Sequence, residues 1–385
     1  MTRERLAWAL GIAALVLAIP AAYFVAAVLP FGYDFRAYWL AAQHLVTGAP
    51  MYEAPTATLG QPDEFHYLPL VAVPFVVFLP LAIGDAARVW FVLQVALAAA
   101  LGVVLIRPLP RAARPWAAAG YVFFLPMVLE VTLGNVDLIC VALALVAWDW
   151  RARGDRAVVP YAAALGIKVL PLSLLPFYLA AGYTRIVLRA LAVGLLVLIA
   201  TIPLLASPLA EYVALLPRYL DTAWVRIHAQ REAPEWLAVI AWSDLFPLLL
   251  ALAAIALAVV FGRRARREPE RATDYHHLAL ALAPYVTPFG FIWTTYLLCS
   301  LPLFATTLAR ALRLDPSRRA AALAGLVGCW TAMQMVQVHD LWPIVAHLVG
   351  VVGLIAIALA LMALETRQTE GRSTPLARAT SIASG

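Results

Sequence analysis

The sequence predicts an all-α polytopic membrane protein, and three observations predict it. Hydrophobic residues make up 64% of the 385-residue chain and charged residues 13%, against about a quarter charged in an average soluble domain. Apolar runs that reach the ~20 residues needed to cross a bilayer as helix recur from Leu6–Leu29 through Leu341–Leu364. Basic residues stand in short blocks between those runs, the pattern of a positive-inside membrane protein.

The runs fall at about 6–29, 67–83, 87–106, 116–133, 134–150, 157–181, 186–205, 236–262, 275–290, 291–309, 319–336 and 341–364, which gives about 10–12 membrane segments. The first follows "MTRER" and lacks a clean small-x-small cleavage site, so it is expected to be a retained helix and not a removed leader. Residues 1–364 then form a single membrane domain, with 365–385 expected as a disordered cytoplasmic tail. The blocks "RARGDR" (151–156), "RRARRE" (263–268) and "RALRLDPSRR" (310–319), with both terminal segments, are the expected cytoplasmic face. That assignment puts 30–66, 206–235 and 337–340 outside. Arg107, Arg111 and Arg114 sit on the wrong side by simple counting. One of the runs 116–133 and 157–181, or both, is therefore expected to be broken or re-entrant, with Pro126, Gly134, Gly166 and Pro171 as breakers.

Both larger outer loops show helical spacing: Phe35, Tyr38, Trp39, Ala42, Leu45 and Val46 in the first, and Tyr212, Leu215, Leu216, Tyr219, Ala223 and Ile227 in the second. They are expected to be interfacial helices with their apolar faces in lipid. The formal charge of +6 does not imply nucleic acid, because no basic domain collects it. Cys140, Cys299 and Cys329 lie in apolar runs without metal-like spacing and read as packing residues. No His or acidic cluster has metal-ligand spacing, no Ser-His-Asp order stands out and no Gly-rich phosphate loop is present, which argues against soluble-nucleotide chemistry, a metal or any other cofactor. No internal repeat is apparent, which weighs modestly against an inverted-repeat transporter.

Ionisable groups inside spans are expensive and therefore functional candidates. Lys168, the only lysine, lies between Gly166 and Pro171. It is either a strut paired with a carboxylate or a fixed cation for a lipid-borne phosphate. Glu130, Asn135 and Asp137 crowd around Gly134 in "LEVTLGNVDL", as a self-satisfied polar turn or as ligand-binding groups, and Glu130 is a possible partner for Lys168. The 206–235 loop holds Arg218, Arg226, His228 and Arg231, suited to lipid headgroups or to clamping a phosphate. His339-Asp340 opens the last outer loop as a weak candidate pair. Asp34 stands at the mouth of the first span among Tyr33, Arg36 and Tyr38 and near His66 and Tyr67. It is placed either to cap the following helix through the amides of Arg36 or Ala37, or to act as a general base at the membrane–water boundary.

The stretch "YDFRAYWLAAQHLVTGAPMYEAP" with "FHYLPLVAVPFVVFLPLA" resembles the first outer loop and second span of glycosyltransferase family 87, membrane enzymes of the GT-C type. "LGNVDLICVALALVAW" resembles that family's Gly-Gln span, and "ALGIKVLPLSLLPFYLAAGYTR" its Ile-Lys-x-x-Pro segment, so the resemblance covers residues 31–189. It implies metal-independent, inverting transfer of a hexose, mannose in the typical case, from a polyprenyl-phosphate carrier to a lipid or glycan acceptor on the outer face of a bacterial inner membrane, by a protein expected to be a monomer. It further implies that Asp34 is the catalytic aspartate and that Lys168 is the lysine of the Ile-Lys-x-x-Pro segment; Lys168, aided by Arg218 and Arg226 of the 206–235 loop, is expected at the donor phosphate. Tyr33, Arg36, Tyr38, His66, Tyr67, Glu130, Asn135, Asp137, His228, His339 and Asp340 are the expected substrate-binding set. Two departures stand out: Asn135 replaces the family's Gln, and Trp293–Tyr296 stand where a His is usual. The alternative from another class is a transporter or flippase of lipid-linked intermediates.

Overall fold

The computed structural model describes residues 3–52, 65, 67–168, 174–220, 245–268, 275–286, 294–334 and 341–382. All regular structure among them is helical: α1 (Arg3–Val28), α2 (Tyr33–Thr47), α3 (Ile83–Ile106), α4 (Arg114–Val122), α5 (Leu125–Leu133), α6 (Asp137–Asp149), α7 (Val158–Ile167), α8 (Leu174–Ala180), α9 (Thr184–Leu220), α10 (Leu245–Arg267), α11 (His276–Leu282), α12 (Leu301–Ala311), α13 (Pro316–Ala332) and α14 (Leu341–Ile382). Tight 3₁₀ turns complete it, the longest over Pro69–Phe78.

The all-α polytopic class follows directly from the described helices. Stretches of α1, α3, α9 and α14 are long and apolar enough to cross a membrane, and α4–α5 makes a fifth span if that bent pair is counted as one. This is fewer long spans than the apolar runs suggest, because several runs fold into short pieces. In 67–83, Pro69 and Pro74 hold a 3₁₀ helix, since proline removes a backbone donor and fixes φ. The expected break in 116–133 is present: α4 and α5 meet at 51°, just ahead of Pro126. The run 157–181 is broken too, with α7 ending at Ile167 and Lys168 extended at φ −150°, ψ 149°.

Leu17, Tyr23 and Phe24 on α1, Val92 on α3 and Leu195, Leu196 and Leu204 on α9 are exposed, as expected of helix faces that meet lipid and not water. Two cores lie behind them. The larger joins α5–α8 with α10–α14 around Trp148, Phe177 and Tyr178. The smaller packs α2 on the Pro69–Phe78 turn through Phe35, Tyr38, Phe75 and Phe78, with Leu205 of α9 against it. All three cysteines are buried and unbridged.

Three expectations change. The apolar stripe of α2 faces protein and not lipid: Phe35, Ala37, Tyr38, Ala41, Ala42 and Leu45 are all buried in the smaller core, which satisfies the same helical period. Residues 206–220 do not form a separate interfacial helix but prolong α9, since an existing helix extends without a new nucleation cost; 221–235 lie outside the described residues. For the same reason α14 continues as helix to Ile382 through most of the expected disordered tail.

Candidate active site

The chain leaves α1 through Pro30 and turns at Gly32, whose φ of 69° lies in the left-handed region. The Gly32 amide donates to the carbonyl of Thr132 at 2.9 Å, fastening this corner to the end of α5. Gly32, and not Asp34, is the N-cap of α2, and no side chain caps it. Asp34 therefore sits within the first helical turn, so the capping role anticipated from its residue type is not the one it plays.

Its partner is Asn135. Helix α5 stops at Gly134, with φ 79°, and the amides of Gly134 and Asn135 both donate to the Glu130 carbonyl, at 2.9 and 3.1 Å. A Cβ on Gly134 would lie 2.9 Å from the Cβ of Phe35 and 3.1 Å from Cδ1 of Trp90, so this close approach needs glycine. Trp90 Nε1 donates to the Gly134 carbonyl at 2.9 Å, and Gln94 Nε2 donates to the Asn135 carbonyl. The Asn135 side chain is then oriented without ambiguity: its Oδ1 accepts the Val136 amide at 2.6 Å, and an amide N–H can only donate. The hydroxyls of Tyr38 and Tyr67 donate to the same oxygen, each at 3.3 Å. Nδ2 is thereby turned to Asp34 Oδ2 and donates at 2.9 Å. No other hydrogen bond to the Asp34 carboxylate forms among the described residues.

Asp137 begins α6, and Lys168 reaches it from the break after α7, Nζ to Oδ1 at 2.5 Å. The ammonium lies 4.3 Å from the ring centre of Tyr296 and 5.4 Å from that of Tyr67. Glu130 is fully buried but is not the lysine's partner: its Oε1 accepts the Leu138 amide at 2.7 Å, satisfying an otherwise orphaned donor at the start of α6. Among the described residues Glu130 Oε2 and Asp137 Oδ2 have no hydrogen-bond partner. Among the described residues no three His, Cys, Asp or Glu side chains are placed to hold a metal ion.

Burial pushes the Asp34 carboxyl up from its ordinary 3.8 to about 6; the charge of Lys168 pulls it down, that of Asp137 pushes it up, and the Asn135 hydrogen bond lowers it. A carboxylate poised near neutrality can exchange a proton with a hydroxyl of bound substrate.

Of the expected site residues, Asp34, Tyr38, Tyr67, Glu130, Asn135, Asp137 and Lys168 come together. Tyr33 is half-buried beside Asp34, and Arg36 is exposed on α2. Arg218 lies on the last turn of α9, its side chain outside the described residues, as are His66, Arg226, His228, His339 and Asp340 altogether. Sequence reasoning passed over Trp90 and Gln94. The latter carried a signal, as the single amide inside the apolar run 87–106.

The fold and this site define an integral membrane protein that gathers one half-buried carboxylate, a clamping amide and a paired lysine at the end of its first span. The sequence profile of glycosyltransferase family 87 matches residues 65–288, more than half of the chain, and the protein belongs to that family: it is a glycosyltransferase. The matched stretch contains Tyr67, Glu130, Asn135, Asp137 and Lys168. Asp34 lies ahead of it and is tied to it by the Asn135 hydrogen bond. No curated protein and no solved structure matches the chain.

Proposed function

We propose that the protein transfers a hexose, mannose first among candidates, with inversion from a polyprenyl-phosphate carrier to a lipid or glycan acceptor at the outer face of a bacterial inner membrane, and that Asp34 is the general base. The observation that carries this is the Asp34 carboxylate itself, with Oδ2 held by Asn135 and Oδ1 without a hydrogen bond among the described residues. Oδ1 is available to accept the proton of an acceptor hydroxyl. As that proton leaves, the hydroxyl oxygen attacks the anomeric carbon, the bond from that carbon to the phosphate oxygen breaks, and the electron pair leaves with the polyprenyl phosphate. Inversion by direct displacement needs one carboxylate where a retaining mechanism needs two.

Lys168 serves the phosphate in this scheme. Asp137 occupies one of the three N–H donors of the ammonium and the Tyr296 hydroxyl engages another, which leaves a third for a phosphate oxygen as charge develops there. The role expected for a lone cation is thus taken by a cation already oriented by its counter-ion.

The test uses purified protein in liposomes with polyprenyl-phosphate-mannose and a mannosyl-lipid acceptor. Asp34→Asn keeps the shape and the hydrogen bond to Asn135 but cannot take a proton, and its rate of transfer is expected to fall by about 10²–10⁴. Near wild-type transfer by Asp34→Asn would remove the base assignment. Movement of lipid between leaflets with no new glycosidic bond would replace the enzyme by a flippase.

A further inference from the structure

We infer that Glu211 is a positioning residue for Asp34, acting through hydrogen bonds that the bodies of Tyr52, Tyr67 and Asn135 join from α9 to the carboxylate; the inference rests on the proposed role of Asp34 as base. Glu211 stands on α9, in the segment that prolongs that helix beyond the usual length of a span. One of its oxygens, Oε2, accepts the amides of both Met51 and Tyr52, at 2.9 and 3.1 Å, and Ser207 donates to the other at 3.3 Å. The chain that leaves α2 is thereby fixed against α9. Tyr212, the next residue on that helix, packs its ring 5.6 Å from the ring of Tyr52.

From there each link passes to the next. The Tyr52 hydroxyl donates to the carbonyl of Tyr67 at 2.5 Å. The Tyr67 hydroxyl donates to Asn135 Oδ1 at 3.3 Å, and Asn135 Nδ2 donates to Asp34 Oδ2 at 2.9 Å. Tyr67 is also the ring beside Lys168. A change at Glu211 therefore reaches both the base and the cation through the placement of one tyrosine. A carboxylate that only anchored a loop would have no reason to end its chain of contacts on Asp34. Reacting groups demand geometry that tight: a displacement of 1 Å can cost about a hundredfold in rate.

The experiment compares Glu211→Ala, Glu211→Gln and Tyr52→Phe with Asp34→Asn, using full-length protein, polyprenyl-phosphate-mannose and the same mannosyl-lipid acceptor. Glu211→Ala is expected to lower kcat about tenfold, with KM for the donor little changed, and to move the acid limb of the pH profile upward as Asn135 loosens its hold on Asp34. Glu211→Gln should restore both, because a single carbonyl oxygen can accept both amides as Oε2 does. Tyr52→Phe keeps the ring contact and should reproduce part of the defect. If Glu211→Ala and Tyr52→Phe keep wild-type kcat and acid limb while Asp34→Asn is inactive, the relay is wrong and the base stands. If Asp34→Asn is itself active, the base reading falls, and thermal unfolding judges the chain of contacts separately. Losses in Tm for Glu211→Ala and Asn135→Ala that sum to less than expected in the double variant show the two linked, and strictly additive losses break the chain.

Discussion

Asn135 is the side chain on which the site turns, because every one of its polar atoms is committed in a known direction. Its Oδ1 collects the Val136 amide and two tyrosine hydroxyls, and what remains for Asp34 is an N–H donor. That donor favours the charged carboxylate, but burial outweighs it and pushes the Asp34 carboxyl up to about 6, so activity should fall along an acid limb of kcat/KM centred near pH 6, measurable by initial rates from pH 5 to 8. The same shift bears on stability. The carboxyl is ordinary, at 3.8, when unfolded and raised when folded. The folded chain thus holds its proton longer, and its stability declines as pH rises from about 4 through 6. Asp34→Asn removes that cost, so this inactive variant should melt a few degrees above wild type at pH 8, with the difference nearly gone at pH 4. Lys168→Met alone leaves Asp137 buried and unpaired, a loss of about 3–5 kcal/mol. Paired with Asp137→Asn it should fold, and the acid limb should move modestly upward, because the pull of Lys168 on Asp34 exceeds the push of Asp137.

At the level of elements, the junctions matter more than the helices. Gly134 closes α5 in a conformation open to few other residues, against Phe35 and Trp90. Gly134→Ala adds left-handed strain of about 1–2 kcal/mol to those contacts and should depress both Tm and transfer. Gly262 of α10 plays a different part. A Cβ there would strike the backbone oxygen of Phe177 and come within 2.8 Å of Ala180 Cβ. Gly262→Ala should therefore part α8 from α10 and lower Tm without moving the pH limb, since neither helix carries an Asp34 contact. These junctions also mark how far the sequence could be read. Asp34, Lys168 and "LGNVDL" stood out because each is a polar group where burial is costly, and the breaks at 116–133 and after Ile167 followed from proline, glycine and charge counting. The partner of Lys168 was not legible. Glu130 and Asp137 are one short turn apart, and only the left-handed turn at Gly134, which sends α6 off in a new direction, decides that Asp137 meets the lysine while Glu130 serves the Leu138 amide. Nor could periodicity say whether the apolar face of α2 meets lipid or protein, because both solvents select the same residues.

The whole molecule is a bundle of a few long helices around many short ones, and its orientation in the membrane is open to direct measurement. The three native cysteines are buried, so an impermeant thiol reagent starts from a quiet background. In the proposed orientation Gln43→Cys, on the exposed side of α2, should be labelled in intact cells, and Arg153→Cys, in the exposed turn between α6 and α7, only after lysis. The reverse pattern would place Asp34 on the cytoplasmic face and overturn the outward-facing site. Lys168 adds an opportunity of another kind. As the only lysine of the chain, it is the one side-chain amine a reductive or acylating reagent can find, so its modification appears in an intact mass as a single step beyond that of the terminal amine. A bound donor or product that covers it should erase that step, and the polypeptide then reports the occupancy of its own site without any engineered probe.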